Sequence, residues 1–88
     1  MAGAFEIEYS KAARRRVSRL PSTVARTIID QIRALASDPL AANNNVTKLR
    51  EVDGYRLRVG DWRVLYSLDV ESRLLRVAAI LPRGEAYR

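Results

Sequence analysis

The chain has 88 residues, a formal net charge of +6 and a pI of about 10.5, so it holds one domain with a single modest core. Its 48% hydrophobic content excludes a disordered tail, and the absence of cysteine and histidine excludes disulfides, thiolate or imidazole metal sites, and Ser-His-Asp or Cys-His catalysis. There is no apolar run of about 18 residues to span a membrane, and the opening Met-Ala-Gly-Ala-Phe-Glu-Ile-Glu lacks the basic and apolar regions of a signal peptide; the lack of cysteine and histidine is what points to the cytoplasm.

Residues 4–9 alternate, with Phe5, Ile7 and Tyr9 on one side and Glu6 and Glu8 on the other, the period-two signature of a strand. Ser10 is placed to cap a helix beginning at Lys11, in which Ala13, Val17 and Leu20 form the apolar stripe. Arg14, Arg15, Arg16 and Arg19 cover the rest of that helix, either as a solvated face or as a contact for phosphate. Leu20-Pro21-Ser22 breaks the pattern, because proline disfavours helix in the residue before it. A second helix runs to about Ser37, with Val24, Ile28, Ile32 and Leu35 inward and Ala25, Ile29 and Ala36 broadening the stripe; Asp38-Pro39 stops it. Asn43-Asn44-Asn45 marks a loop, and Val46, Lys48-Leu49 and Val52 lead back in through a short strand or a turn.

Residues 55–68 organise the chain. Apolar and polar residues alternate on both sides of Gly60-Asp61, which predicts a hairpin with a two-residue loop. Val59 then opposes Trp62, Leu57 opposes Val64 and Tyr55 opposes Tyr66, all on a core face, so Trp62 and Tyr66 read as core residues. The other face carries Arg56, Arg58 and Arg63, with Arg58 directly across from Arg63. Like charges opposed across strands are destabilising, so the cluster is either a solvated face or a site for something anionic. Arginine suits phosphate through its planar fork and permanent charge, and only Lys11 and Lys48 are lysines. A last strand spans residues 73–81, with Leu75, Val77, Ala79 and Leu81 inward and Arg76 on the arginine side; Pro82 ends it. The fold class is therefore α+β: an N-terminal strand, a helical hairpin, then a mainly antiparallel sheet (β-α-α-β-β-β), with both helices on one face.

The segments Lys48-Leu49, Tyr55-Arg56-Leu57-Arg58-Val59-Gly60-Asp61-Trp62-Arg63-Val64-Leu65-Tyr66 and Arg83-Gly84-Glu85-Ala86-Tyr87-Arg88, with the Leu20-Pro21 break and the Asp38-Pro39 stop, resemble the RelE/ParE superfamily of toxins from bacterial type II toxin–antitoxin systems. The resemblance spans nearly the whole chain and implies a single RelE-like toxin domain over residues 1–88. It implies two activities. RelE-like members cut mRNA in the ribosomal A site, whereas ParE-like members poison DNA gyrase without cutting nucleic acid; a degenerate member would only bind its antitoxin. On the first reading the chain is a ribosome-dependent mRNA endoribonuclease working without metal or cofactor by attack of the 2′-hydroxyl. Arg58, Arg63, Arg83 and Tyr87 fall at the catalytic positions, and Lys48, Arg56 and Arg76 are the expected RNA-binding residues. Arg63 and Arg83 would hold the scissile phosphate and Arg58 would assist the leaving group; arginine does not give up its proton, which leaves Tyr87 or one of the carboxylates as the base, and Tyr87 is the expected one. Glu85 is a candidate ion-pair partner for Arg83. The implied partners are a cognate antitoxin of acidic character, the ribosome and mRNA, or alternatively DNA gyrase; there is no membrane partner, and DNA is met only through the antitoxin complex. The sequence departs from the superfamily pattern at Arg56 and Arg58, lysines in some active members, at Pro82, where many relatives carry histidine, and at Gly84, which replaces a basic residue.

Overall fold

A computed structural model describes residues 4–85. Strand β1 (Glu6–Tyr9) leads into Ser10, whose hydroxyl accepts the Ala13 N–H at 3.0 Å and so caps helix α1 (Lys11–Arg19). Leu20 closes α1 with its own N–H on the Val17 carbonyl, and Pro21 opens α2 (Ser22–Ser37), as the break in periodicity predicts. The chain returns through β2 (Val46–Lys48), which settles the choice between a strand and a turn in favour of a short strand. The hairpin β3 (Tyr55–Val59) and β4 (Trp62–Asp69) follows, and then β5 (Leu74–Pro82).

The five strands lie in the order β1-β5-β4-β3-β2. The pairs joined by short connections are antiparallel, as short turns require. Strand β1 runs parallel to β5, because the helical hairpin separates it from the rest of the sheet and carries the chain across. Both helices pack on one face: α1 against β5 and β1, α2 against β1 and β3. Between them and the sheet sit Ile28, Ile32 and Leu35 of α2 with Leu57, Val64, Tyr66, Leu75, Val77 and Ile80. Fully burying one such side chain is worth about 1.5–3 kcal/mol. Among the described residues no helix is long and apolar enough to cross a membrane.

Strand β5 corrects one expectation. Leu75 and Val77 face the helices, but Ile80 does so in place of Ala79 and Leu81. The cause is a bulge: Leu65 pairs with Ala79 and Tyr66 with Val77, leaving Ala78 without a cross-strand partner in β4 and shifting the alternation by one residue. The spare carbonyl of Ala78 accepts the Ser10 hydroxyl at 2.7 Å, while the Ser10 N–H donates to Val77 O at 2.9 Å. One serine thus starts α1 and satisfies the bulge.

Candidate nucleic-acid interface at the hairpin tip

The hairpin register is the one the alternation predicts: Tyr55 opposes Tyr66, Leu57 opposes Val64, Arg58 opposes Arg63 and Val59 opposes Trp62. Gly60 has φ +57° and Asp61 a negative φ, the pattern of a type II′ turn with glycine at its first central position. That resolves the unusual Gly-Asp order, since only the first position needs a left-handed backbone.

Arg58 and Arg63 emerge side by side on the face away from the helices, yet their environments differ. Arg58 is exposed; its N–H donates to the Asn45 carbonyl at 2.8 Å, and Nη2 donates to Asn45 Oδ1 at 2.9 Å. Arg63 is only 5% exposed, and its Nη1 donates to the carbonyls of Gly60 and Trp62, both at 2.8 Å. Turn carbonyls and an asparagine amide therefore take up part of the repulsion that two opposed guanidiniums would suffer. Arg83 joins them from beyond β5: its N–H donates to the Asp61 carbonyl at 2.8 Å and ties the C-terminal segment to the turn. The three arginines line one groove of about 840 Å³, together with Asp61, Asn45 and the α2 residues Thr27 and Gln31.

The remaining predicted positions do not all converge. Arg56 shares the face of Arg58 two residues back, opposite Leu65, and does not line the groove. Lys48 opposes Tyr55, so it lies on the helix side of the sheet, at the far end of β2 from Asn45. Arg76 does face the arginine side, but its neighbours are Ser67 and Glu8, and its Nε is ion-paired with Glu8 Oε1 at 3.1 Å. Five steps along the strand, roughly 16 Å, separate it from Leu81, which sits beside Arg63. Among the described residues Arg83 and Glu85 form no ion pair, contrary to expectation. Tyr87 lies outside the described residues. Asp61 reads in the sequence only as a turn residue, and Thr27 and Gln31 carry no signal for the groove; a helical wheel of α2 puts Thr27 and Gln31 four apart on its polar side, but not against the hairpin tip.

The two aromatic residues of β4 are packed as their parity predicts. Tyr66 is 2% exposed and stacks on Tyr55, with ring centroids 5.4 Å apart and planes inclined by 21°. Burial, and secondarily the neighbouring Tyr55, pushes the Tyr66 hydroxyl up to about 12, which disqualifies it as a base near neutral pH. Burial also raises Tyr9, against a smaller opposing effect of Arg33. Trp62 is half-buried beneath the Arg16 guanidinium. Among the described residues no three His, Cys, Asp or Glu side chains gather as a metal site requires.

The family model described as the ParE toxin of type II toxin–antitoxin systems matches residues 7–87. The chain belongs to this toxin family. The toxin's fold is that of the RelE/ParE superfamily. It is similar to the archaeal RelE–RelB complex from Pyrococcus horikoshii, at 26% identity and a TM-score of 0.80, covering 92% of this chain and 97% of that one. The RelBE2 toxin–antitoxin complex from Mycobacterium tuberculosis matches at 21% identity and a TM-score of 0.81, covering 96% and 97%. A YoeB/ParE toxin from Agrobacterium tumefaciens matches at 15% identity and a TM-score of 0.74, covering 89% and 98%. The search of curated proteins finds no match.

Proposed function

We propose that this toxin is a ribosome-dependent mRNA endoribonuclease whose hairpin-tip groove holds the scissile phosphodiester. The observation that carries the reading is the convergence of Arg58, Arg63 and Arg83, drawn from β3, β4 and the segment after β5, on one groove. Cleavage requires that the 2′-hydroxyl lose its proton, that its oxygen attack phosphorus, and that the departing 5′-oxygen gain a proton, leaving a 2′,3′-cyclic phosphate and a 5′-hydroxyl. Fixed guanidiniums beside the phosphorus stabilise the charge that builds on the phosphorane oxygens. In this reading Arg83 and Arg63 hold the phosphate, Arg58 stands by the leaving oxygen and Tyr87 takes the proton. Arg56 extends the cationic face along the message, while Lys48 and Arg76 have no part in the groove.

A second reading has its own support. The matching family is the ParE one, and Arg63 spends hydrogen bonds on the turn, as a structural residue does. On that reading the groove binds gyrase, and no phosphodiester is cut. Adding the purified protein to a translation extract and mapping message ends decides between them, with a parallel gyrase supercoiling assay. New message ends that appear only with ribosomes support the nuclease. Intact messages with arrested supercoiling support the gyrase inhibitor.

The neutralising partner is an antitoxin, as in the RelE–RelB and RelBE2 complexes. A groove of about 390 Å³ between β1, α1 and α2 suits an acidic amphipathic segment of that partner. Ile7, Tyr9, Val17 and Ile29 line it, Arg14 and Arg33 flank it, and the buried Tyr9 hydroxyl has no hydrogen-bond partner among the described residues.

A further inference from the structure

A second cationic surface lies on α1, around the hairpin tip from the arginine groove. This helix carries Lys11, Arg14, Arg15, Arg16 and Arg19 and not one carboxylate. Lys11–Arg15 and Arg15–Arg19 are like-charge neighbours at i,i+4, an arrangement that destabilises a helix. Among the described residues, Arg15, Arg16 and Arg19 make no ion pair. Arg16 instead lies over the Trp62 ring, 5.7 Å from its centroid. Trp62 follows Asp61, the residue whose carbonyl holds the Arg83 N–H, so the two cationic regions meet at adjacent backbone positions. A cleft beside the turn shares Gly60 and Asp61 with the arginine groove and Trp62 with the α1 cleft, which is about 460 Å³ and lined by Arg15, Arg16 and Arg19.

We propose that α1 is a second phosphate-contact surface for the strand that enters the arginine groove: single-stranded RNA leaves the groove, passes Trp62 and lays its backbone on Arg15 and Arg19. The path bends around a two-residue turn and offers a partly open aromatic ring, which suits a single strand better than a stiff duplex. The inference rests on the RNA reading of the groove, and its test separates the two.

Four- and twelve-nucleotide single-stranded RNAs, 2′-O-methylated so that they resist cleavage, are titrated by fluorescence anisotropy against the wild type, R15Q/R19Q and R58Q/R83Q. Each lost phosphate contact on a single strand lowers the slope of log affinity against log salt by about 0.7. R15Q/R19Q should therefore make the twelve-nucleotide slope shallower by about 1.4 and weaken binding roughly 10- to 30-fold near 0.1 M salt. The four-nucleotide affinity should stay unchanged, whereas R58Q/R83Q should weaken both. Thermal melting guards against misfolding, because removing the Arg15–Arg19 repulsion leaves Tm unchanged or slightly raised. A folded R15Q/R19Q that binds the longer strand like wild type overturns the α1 surface and leaves the groove reading intact. Equal binding of both strands by wild type and R58Q/R83Q overturns both, and tighter binding of a twelve-base-pair duplex than of the single strand overturns the single-strand path.

Discussion

Arg63 is the position where a functional and a structural role are most easily confused, and Arg63→Met separates them. Methionine keeps much of the length and apolar stem but removes every donor. The carbonyls of Gly60 and Trp62 would each lose a charge-assisted hydrogen bond of 2.8 Å at a site that is only 5% exposed. Bonds to charged groups are worth about 1.5–3 kcal/mol each, and relief of the opposed Arg58 returns under about 1 kcal/mol. The net loss is on the order of 3 kcal/mol. In a domain of this size each 1 kcal/mol shifts Tm by about 4–8 °C, so Arg63→Met should melt roughly 15 °C lower by circular dichroism. Arg58→Gln, at an exposed position, should melt within about 3 °C of wild type. If Arg63→Met melts as high as wild type, its bonds to the Gly60 and Trp62 carbonyls do not brace the turn, and the structural role assigned to Arg63 is refuted.

Arg58→Gln and Arg83→Gln should each slow message cleavage in a translation extract by about a hundredfold or more while leaving Tm nearly unchanged; equal cutting by either would remove that arginine from the phosphate site. Ser10→Ala loses both the α1 cap and the bond to the Ala78 carbonyl, and urea denaturation should show a loss of about 2 kcal/mol. Gly54→Ala would set its new methyl group 3.0 Å from the Tyr66 carbonyl at a backbone φ of +156°, so its urea midpoint should fall as well. Tyr66 ionises at about 12 in the folded chain and near 10 when unfolded, so the stability it confers is full below pH 10 and lost as pH rises towards 12. Urea midpoints measured from pH 9 to 12 should therefore decline, and Tyr66→Phe should flatten part of that decline.

The local chemistry of the chain determined a good deal. Ser10, Pro21 and Asp38-Pro39 delimit the helices because capping and proline geometry act within a few residues. Alternation about Gly60-Asp61 determined the hairpin register and put Arg58 opposite Arg63, because a two-residue turn leaves the strands no freedom to slip. What only the tertiary structure decided involves partners distant in sequence. The bulge that turns Ile80 inward leaves the Ala78 carbonyl to the hydroxyl of Ser10, 68 residues earlier in the chain. Arg76 lies outside the cationic cluster because its register on β4 sets it beside Ser67, far along the strand from Arg63, where parallel pairing gives it Glu8 as ion-pair partner, and Lys48 faces the helices because its register on β3 aligns it with Tyr55. Arg63 reads in sequence as one more solvent-facing charge; it becomes a buried brace because the turn carbonyls bend back within reach of its guanidinium. Periodicity reports which side of an element a residue occupies, but what covers that side is decided by chain segments that alternation cannot register.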